Sequence, residues 1–362
     1  MKIFNPSTAE LIQELPEDNQ KTLHSKFNTL KLAQPDWANV ALQERIAIIT
    51  QFSKLLMTDK ERLANDLHLE TGKLINEAHN EINGACYRIQ FFLDHTEKTL
   101  KEKTLRESNG IREILSFEPL GIIANISAWN YPFLVGINVF IPALLAGNAV
   151  LYKPSEYASL TGLNIEKLLH QAGVPINIFT TVIGDGVIGH QLLNLSLNGY
   201  FFTGSYKTGK LIQETVAHKL VPVGLELGGK DPVYVMDDIH DVQQVATSLI
   251  EGKFYNNGQS CCAVERIYVH EKIHEDFVDA FVTETKKLPS IPPLARPQQI
   301  EVLEDQVQDA LNKGARLLLG GRRMKEPGAF FEPTIFTHVN HSMKLMRDES
   351  FGPIIGIQKV SG

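Results

Sequence analysis

The chain has 362 residues, 43% of them hydrophobic and 21% charged, which excludes a disordered or collagen-like polypeptide and leaves room for two domains with cores of their own. Its 35 basic against 42 acidic residues give a net charge of −7, so no broad phosphate-binding field is built and no nucleic-acid partner is expected. Three cysteines, Cys86, Cys261 and Cys262, cannot make a disulfide framework, and residues 1–10 carry no readable secretory signal. Together these point to a reducing cytoplasm and leave room for a reactive thiol.

Two long helical patterns come first, over 36–67 with a break near Thr58 and over 75–100. Leu42, Ile46, Ile49, Phe52 and Leu56 recur at three- to four-residue steps, which is one helix face. A polar stretch, 101–110, and an extended segment, 111–117, follow. The uncharged run 132–152 is about as long as a bilayer span, but two Asn, two Pro and its glycines read better as a buried helix, a turn at Gly147-Asn148 and a short strand. No membrane partner is therefore expected.

From Gly121 short apolar strands alternate with helices: strand from 121, helix 134–146, strand 149–152, helix 160–171, strands 179–183 and 199–202, helix 207–217 and strand 221–225. A second series begins near Glu226, with strand 233–236, helix 241–255, strand 266–270, helix 273–286, a Pro-rich loop 288–297, helix 298–312 and strand 316–319. Such alternation predicts parallel βαβ units and a doubly wound sheet, with a cleft where the two α/β halves meet.

Four segments can carry chemistry. In Asn257-Gly258-Gln259-Ser260-Cys261-Cys262 a cysteine follows a Gly-containing turn, which suits an exposed thiol, although a lone free cysteine is more often a small buried hydrophobe. Glu226 stands at a strand end before Gly228-Gly229-Lys230; burial there would lift its carboxyl and suit it to general-base work, whereas pairing with Lys230 would make it structural. Asn130 leaves another strand and offers an uncharged donor to an oxyanion, or a helix cap. Of two glycine-rich turns, 184–189 matches GxGxxG, while 202–209 ends a strand in Gly204-Ser205 at a helix start, and the second is the preferred phosphate site.

Together EPLGIIANISAWNYPF, LAGNAVLYKPSE, FTGSYKTG, LELGGKDP, NNGQSCC and ESFGP, in this order, resemble the aldehyde dehydrogenase superfamily over essentially residues 5–362. The resemblance implies a Rossmann-like doubly wound cofactor domain, 1–225, and a second α/β catalytic domain, 226–362, with 106–118 similar to part of an oligomerisation arm. It implies Cys261 as nucleophile, Glu226 as general base and Asn130 as the side-chain half of the oxyanion hole. Lys153, Ser155 and Glu156 then hold the adenine ribose, where a carboxylate favours NAD over NADP. Gly204 and Ser205 form the pyrophosphate turn with Gly209 packing behind, Glu349 and Phe351 hold the nicotinamide ribose, and Ile126, Ser127, Trp129 and Leu227 line the same cleft. No metal is implied; an aldehyde substrate and a homo-oligomer, dimer or tetramer, are.

Two departures stand out. Ala128 occupies a position where many members have proline, and the chain stops nine residues after Pro353, where family chains continue for on the order of a hundred residues. The second departure makes the catalytic domain incomplete, leaves the arm strand 111–117 without its usual partner, and supports an alternative: a catalytically silent remnant that binds nucleotide or a partner. Relatives that pass the thioester to coenzyme A tend to lack the base, so Glu226 favours hydrolysis.

Overall fold

The computed structural model describes residues 1–288 and 291–361; Pro289 and Ser290 of the expected Pro-rich loop, and Gly362, lie outside them. The chain divides into two compact units, one of residues 1–3, 13–70 and 75–226, the other of 4–12, 71–74 and 227–362.

A short ribbon, β1 (Lys2–Phe4) and β2 (Leu11–Glu14), precedes α1 (Gln20–Asn39). The periodicity reading starts a helix only at residue 36, directly after Pro35. The helix nevertheless runs through Pro35, started by a capping box in which the Asn19 side chain accepts from Thr22 N–H while the Thr22 hydroxyl receives Asn19 N–H. Leu23, Leu30 and Trp37 bury its inner face. The expected break falls at Asp59, between α2 (Leu42–Thr58) and α3 (Lys60–Thr71), and α4 (Ile75–Leu100) follows.

The polar stretch after α4 is not irregular. It forms β3 (Lys103–Ser108), antiparallel to β4 (Ile111–Leu115), so the extended segment finds its partner within the chain. Asn109 and Gly110 both take positive φ, 55° and 78°, the conformation of a two-residue Asn-Gly hairpin turn. Every residue of both strands is exposed.

The first unit then builds β5 (Ile122–Ile126), α5 (Pro132–Leu145), β6 (Ala149–Lys153), α6 (Ser159–Ala172), β7 (Phe179–Thr181), α7 (Gly186–Leu192), β8 (Gly199–Gly204), α8 (Tyr206–Val216) and β9 (Val223–Leu227). Its sheet has the order β7-β6-β5-β8-β9, with β5 paired in parallel to both β6 and β8. The strand order therefore reverses between β5 and β8, which is where doubly wound sheets open a ligand crevice. The run 132–152 is a buried helix, a turn at Gly147 (φ 88°) and a buried strand. Among the described residues no helix is long and apolar enough to cross a membrane. Glu70 closes the N-terminus of α6, accepting Leu160 N–H at 2.6 Å, Thr161 N–H at 2.8 Å and the Thr161 hydroxyl at 2.7 Å.

The second unit adds β10 (Pro232–Val235), α9 (Val242–Phe254), β11 (Arg266–His270), α10 (His274–Thr285), α11 (Gln299–Asn312), β12 (Arg316–Leu319), β13 (Thr334–Thr337), α12 (Lys344–Arg347) and β14 (Ile354–Val360). The order β10-β11-β14-β13-β12 puts the last strand in the middle, parallel to β11 and β13, with β12 alone antiparallel. Two apolar clusters flank it, one around Phe254, Phe277 and Phe281, the other around Leu303, Phe331 and Met346.

Candidate active site

In the first unit the singled-out residues follow the C-terminal ends of the three inner strands, β6, β5 and β8. Ile126 is in register with Lys153 on β6 and Phe202 on β8, so the segments leaving these strands start side by side. Ile126, Ser127, Trp129 and Asn130 leave β5; Lys153, Ser155 and Glu156 leave β6; Gly204 and Ser205 leave β8. Ser127, Asn130 and Lys153 are buried, and Trp129 and Glu156 are half-buried. Phe133 N–H and Leu134 N–H at the start of α5 donate to Glu81 at 2.8 and 3.4 Å, which fixes the turn carrying Asn130. Lys153 turns its ammonium to the Pro154 carbonyl, 3.2 Å away, and burial lowers its pKa against the opposing pull of Glu156 and Asp185. The Ser155 hydroxyl donates to Glu156 at 3.2 Å.

The two glycine-rich turns differ in charge. At α7 the Asp185 carboxylate accepts Val187 N–H at 2.8 Å, so an anion already occupies that helix start. At α8 the cap is the neutral, exposed Ser205, whose hydroxyl accepts Thr208 N–H at 3.3 Å, while Gly209 is buried behind it. The first amides of α8 have no acceptor within the helix, so this end suits a phosphate and the other repels one.

Glu226 lies on β9, the sheet's outermost strand, and is exposed. The burial expected of it is not found, because an edge strand is covered on one side only. Lys230, its alternative partner, belongs to a different ion pair described below.

In the second unit three adjacent parallel strands enter from one edge, and each is preceded by a candidate segment: Leu227–Lys230 before β10, Cys261–Glu265 before β11 and Glu349–Pro353 before β14. The cysteine loop is locked by its own backbone. Asn256, Asn257 and Gly258 take left-handed φ of 51°, 56° and 70°, a region where Asn and Gly are tolerated. The Asn257 amide donates to Pro292 O at 2.8 Å and the Gln259 amide to Asn256 O at 3.0 Å, while Gln259 Oε1 accepts Ala295 N–H at 2.9 Å. Cys261 and Cys262 then emerge exposed, and the Ser260 hydroxyl lies 3.2 Å from Cys262 Sγ. The Cys261 thiol is pushed above its ordinary value by partial burial first, then by Cys262 and, more weakly, by the charge of Glu349.

Glu349 is half-buried over the Gly228-Gly229 backbone and accepts Gly229 N–H at 3.3 Å. A Cβ on Gly228 would collide with its carboxylate. Burial raises the Glu349 carboxyl, and neighbouring Glu265 raises it further. Phe351 has φ 47°, a strained conformation for a bulky residue that costs about 1–3 kcal/mol.

Sequence reading missed what holds this segment. Glu265 and Lys253 are both buried, with Lys230 beside them. The available cue was a lysine inside α9 and a glutamate before an apolar strand, charges that must meet a partner if they face the core. Arg266 donates to Lys230 O at 2.9 Å and Met346 O at 3.4 Å. Among the described residues no cluster of three or more His, Cys, Asp or Glu side chains could hold a metal.

The family model described as "Aldehyde dehydrogenase family" matches residues 1–362. The chain is 32% identical to D-glyceraldehyde dehydrogenase (NADP(+)) of Picrophilus torridus, over all of this chain and 76% of that protein. It is also 32% identical to succinate-semialdehyde dehydrogenase [NADP(+)] of Deinococcus radiodurans, over 98% of this chain and 76% of that one. Among solved structures, aldehyde dehydrogenase KauB from Pseudomonas aeruginosa superposes with a TM-score of 0.96 at 26% identity, over all of this chain and 76% of that chain. A 3,6-anhydro-L-galactose dehydrogenase in complex with NAP gives a TM-score of 0.94 at 28% identity, over all of this chain and 79% of that one.

Proposed function

Because the chain belongs to the aldehyde dehydrogenase family, we propose that it oxidises an aldehyde to the carboxylic acid with a nicotinamide dinucleotide, NAD in preference to NADP. The observation that carries this reading is the Cys261 thiol, exposed at the end of a loop whose left-handed turn and Gln259 hydrogen bonds hold it in place.

Cys261 attacks the aldehyde carbon as the thiolate, and the resulting oxyanion is held by the Asn130 amide and the Cys261 backbone N–H. A nicotinamide held beside Cys261 would supply the hydride acceptor. A thioester on Cys261 remains, and Glu226 takes a proton from the water that hydrolyses it, an exposed position giving that water access. Gly204 and Ser205 would receive the pyrophosphate at the start of α8, Gly209 letting the helix approach, while Lys153, Ser155 and Glu156 would receive the adenine ribose. Ile126, Ser127, Trp129 and Leu227 would contact the coenzyme, and Glu349 and Phe351 would hold the nicotinamide ribose.

A carboxylate at Glu156 accepts from ribose hydroxyls and repels a 2′-phosphate, which supports NAD. Some similar proteins carry NADP in their names. The exposed ribbon of β3 and β4, with Leu105 and Ile111 two-thirds solvent-accessible, is read as the arm of a homo-oligomer. Aldehyde-dependent NADH formation that disappears in Cys261→Ala tests the reading.

A further inference from the structure

We propose that Glu265, clamped between Lys230 and Lys253, is a positioning residue that sets where Glu349 and Phe351 stand. The inference rests on the reading of those two residues as coenzyme contacts.

Both oxygens of Glu265 are committed. Oε2 accepts Lys230 Nζ at 2.6 Å and Ser350 N–H at 3.0 Å; Oε1 accepts Phe351 N–H at 3.2 Å and faces Lys253 Nζ at 3.6 Å. The side chains of Glu265, Lys230 and Lys253 are 2%, 7% and 0% exposed, so these charges do not belong to a solvated surface network. Burial alone would raise the Glu265 carboxyl, but Lys253 and Lys230 hold it below its ordinary value and keep it an anion.

The segment is gripped from the other side as well. The Ser350 hydroxyl receives Lys230 Nζ at 2.8 Å and donates to Gln306 Oε1 at 2.7 Å, while Gln306 and Gln299 amides donate to the carbonyls of Glu349 and Ser350. The strained φ of Phe351 sits at the amide that Glu265 binds. Strain of this kind persists only where surrounding contacts over-determine it.

Fold stability alone does not account for three buried charges. Well-packed apolar side chains commonly serve as well or better, because desolvation offsets most of the Coulomb gain. What a fixed anion supplies here is a defined place for two successive backbone amides, and through them for the carboxylate and ring on either side of Ser350.

The test uses the charge-conserving pair E265Q/K253M, with E349Q and the triple variant, titrated with NAD and followed by thermal unfolding and amide hydrogen exchange. The pair is expected to weaken NAD binding by about tenfold to a hundredfold. Adding E349Q to it should cost nothing further, since both act through one contact. Exchange at Ser350 and Phe351 should quicken while β11 stays protected. Parent-like NAD affinity in the pair, or losses that multiply in the triple variant, would overturn the proposal. Should neither parent nor E349Q respond to NAD, the coenzyme reading fails, and the exchange arm decides: amides as slow in the pair as in the parent overturn the positioning role. E265D, which keeps the charge and shortens the reach, is read the same way if the pair does not fold.

Discussion

Gly258 and Gly352 press backbone against backbone: a Cβ on Gly258 would lie 2.5 Å from the Gly352 carbonyl oxygen. Through this contact the loop before Cys261 and the loop after Glu349 are built against each other. Gly258 also has φ 70°, so a side chain there meets a steric and a conformational penalty together. Gly258→Ala is expected to destabilise the chain by about 2 kcal/mol or more and to move Cys261. Urea unfolding measures the first effect and the rate of Cys261 alkylation the second; a variant matching the parent in both would contradict the packing described.

The raised thiol of Cys261 makes a pH prediction. A group whose pKa lies above the ordinary thiol value holds its proton at neutral pH, so the thiolate fraction, and with it the alkylation rate, should still be climbing at pH 9. Glu349→Gln removes one of the charges that favour the thiol and should shift the profile to lower pH, though modestly, since burial and Cys262 contribute more. A profile already level at pH 8 would place Cys261 in a different environment.

Much of this fold was legible in the sequence, for identifiable reasons. Alternating short strands and helices at a regular spacing leave few topologies, and the parallel sheet of β5 to β9 is one of them. The Gly-containing turn before Cys261 is a local pattern, readable because a few adjacent residues carry it. What was not legible depends on contacts distant in sequence. Glu265 and Lys253 read as parts of a strand start and a helix, and only the entry of β10, β11 and β14 from one edge brings them to Lys230 and Ser350. Glu226 shows the converse: its residue type fits a base, but its exposure follows from β9 lying at the sheet edge. The Asn109-Gly110 turn was a readable hairpin signal, hidden by the surrounding charge.

Glu70 links stability to pH in the first unit. Its three hydrogen bonds to the start of α6 favour the carboxylate, yet full burial outweighs them and raises the carboxyl to about 7. Because the folded value lies above the unfolded one, the stabilisation is fully present below the ordinary carboxylate range and is lost as pH rises through 7. The unfolding free energy should therefore fall by about 3 kcal/mol between pH 4.5 and 7.5 from this group, and Glu70→Gln should flatten that slope. Unfolding curves across the window that keep the same slope in both proteins would show Glu70 ionised throughout.

The assignment of Glu226 is separable from that of Cys261. Glu226→Gln should slow steady-state turnover by about 10²- to 10⁴-fold while a rapid first burst of NADH persists, because only thioester hydrolysis needs the base. Stopped-flow absorbance at the NADH band distinguishes the cases, and a burst that vanishes with the turnover would remove Glu226 from this role.

The central claim is that this chain oxidises aldehydes through Cys261. The most direct measurement is aldehyde-dependent NADH formation by the purified 362-residue protein across a broad aldehyde panel, beside Cys261→Ala and Cys262→Ala. The account predicts turnover in the parent and in Cys262→Ala, and none in Cys261→Ala. A folded parent that binds NAD but turns over no aldehyde, or a Cys261→Ala protein as active as the parent, would contradict it.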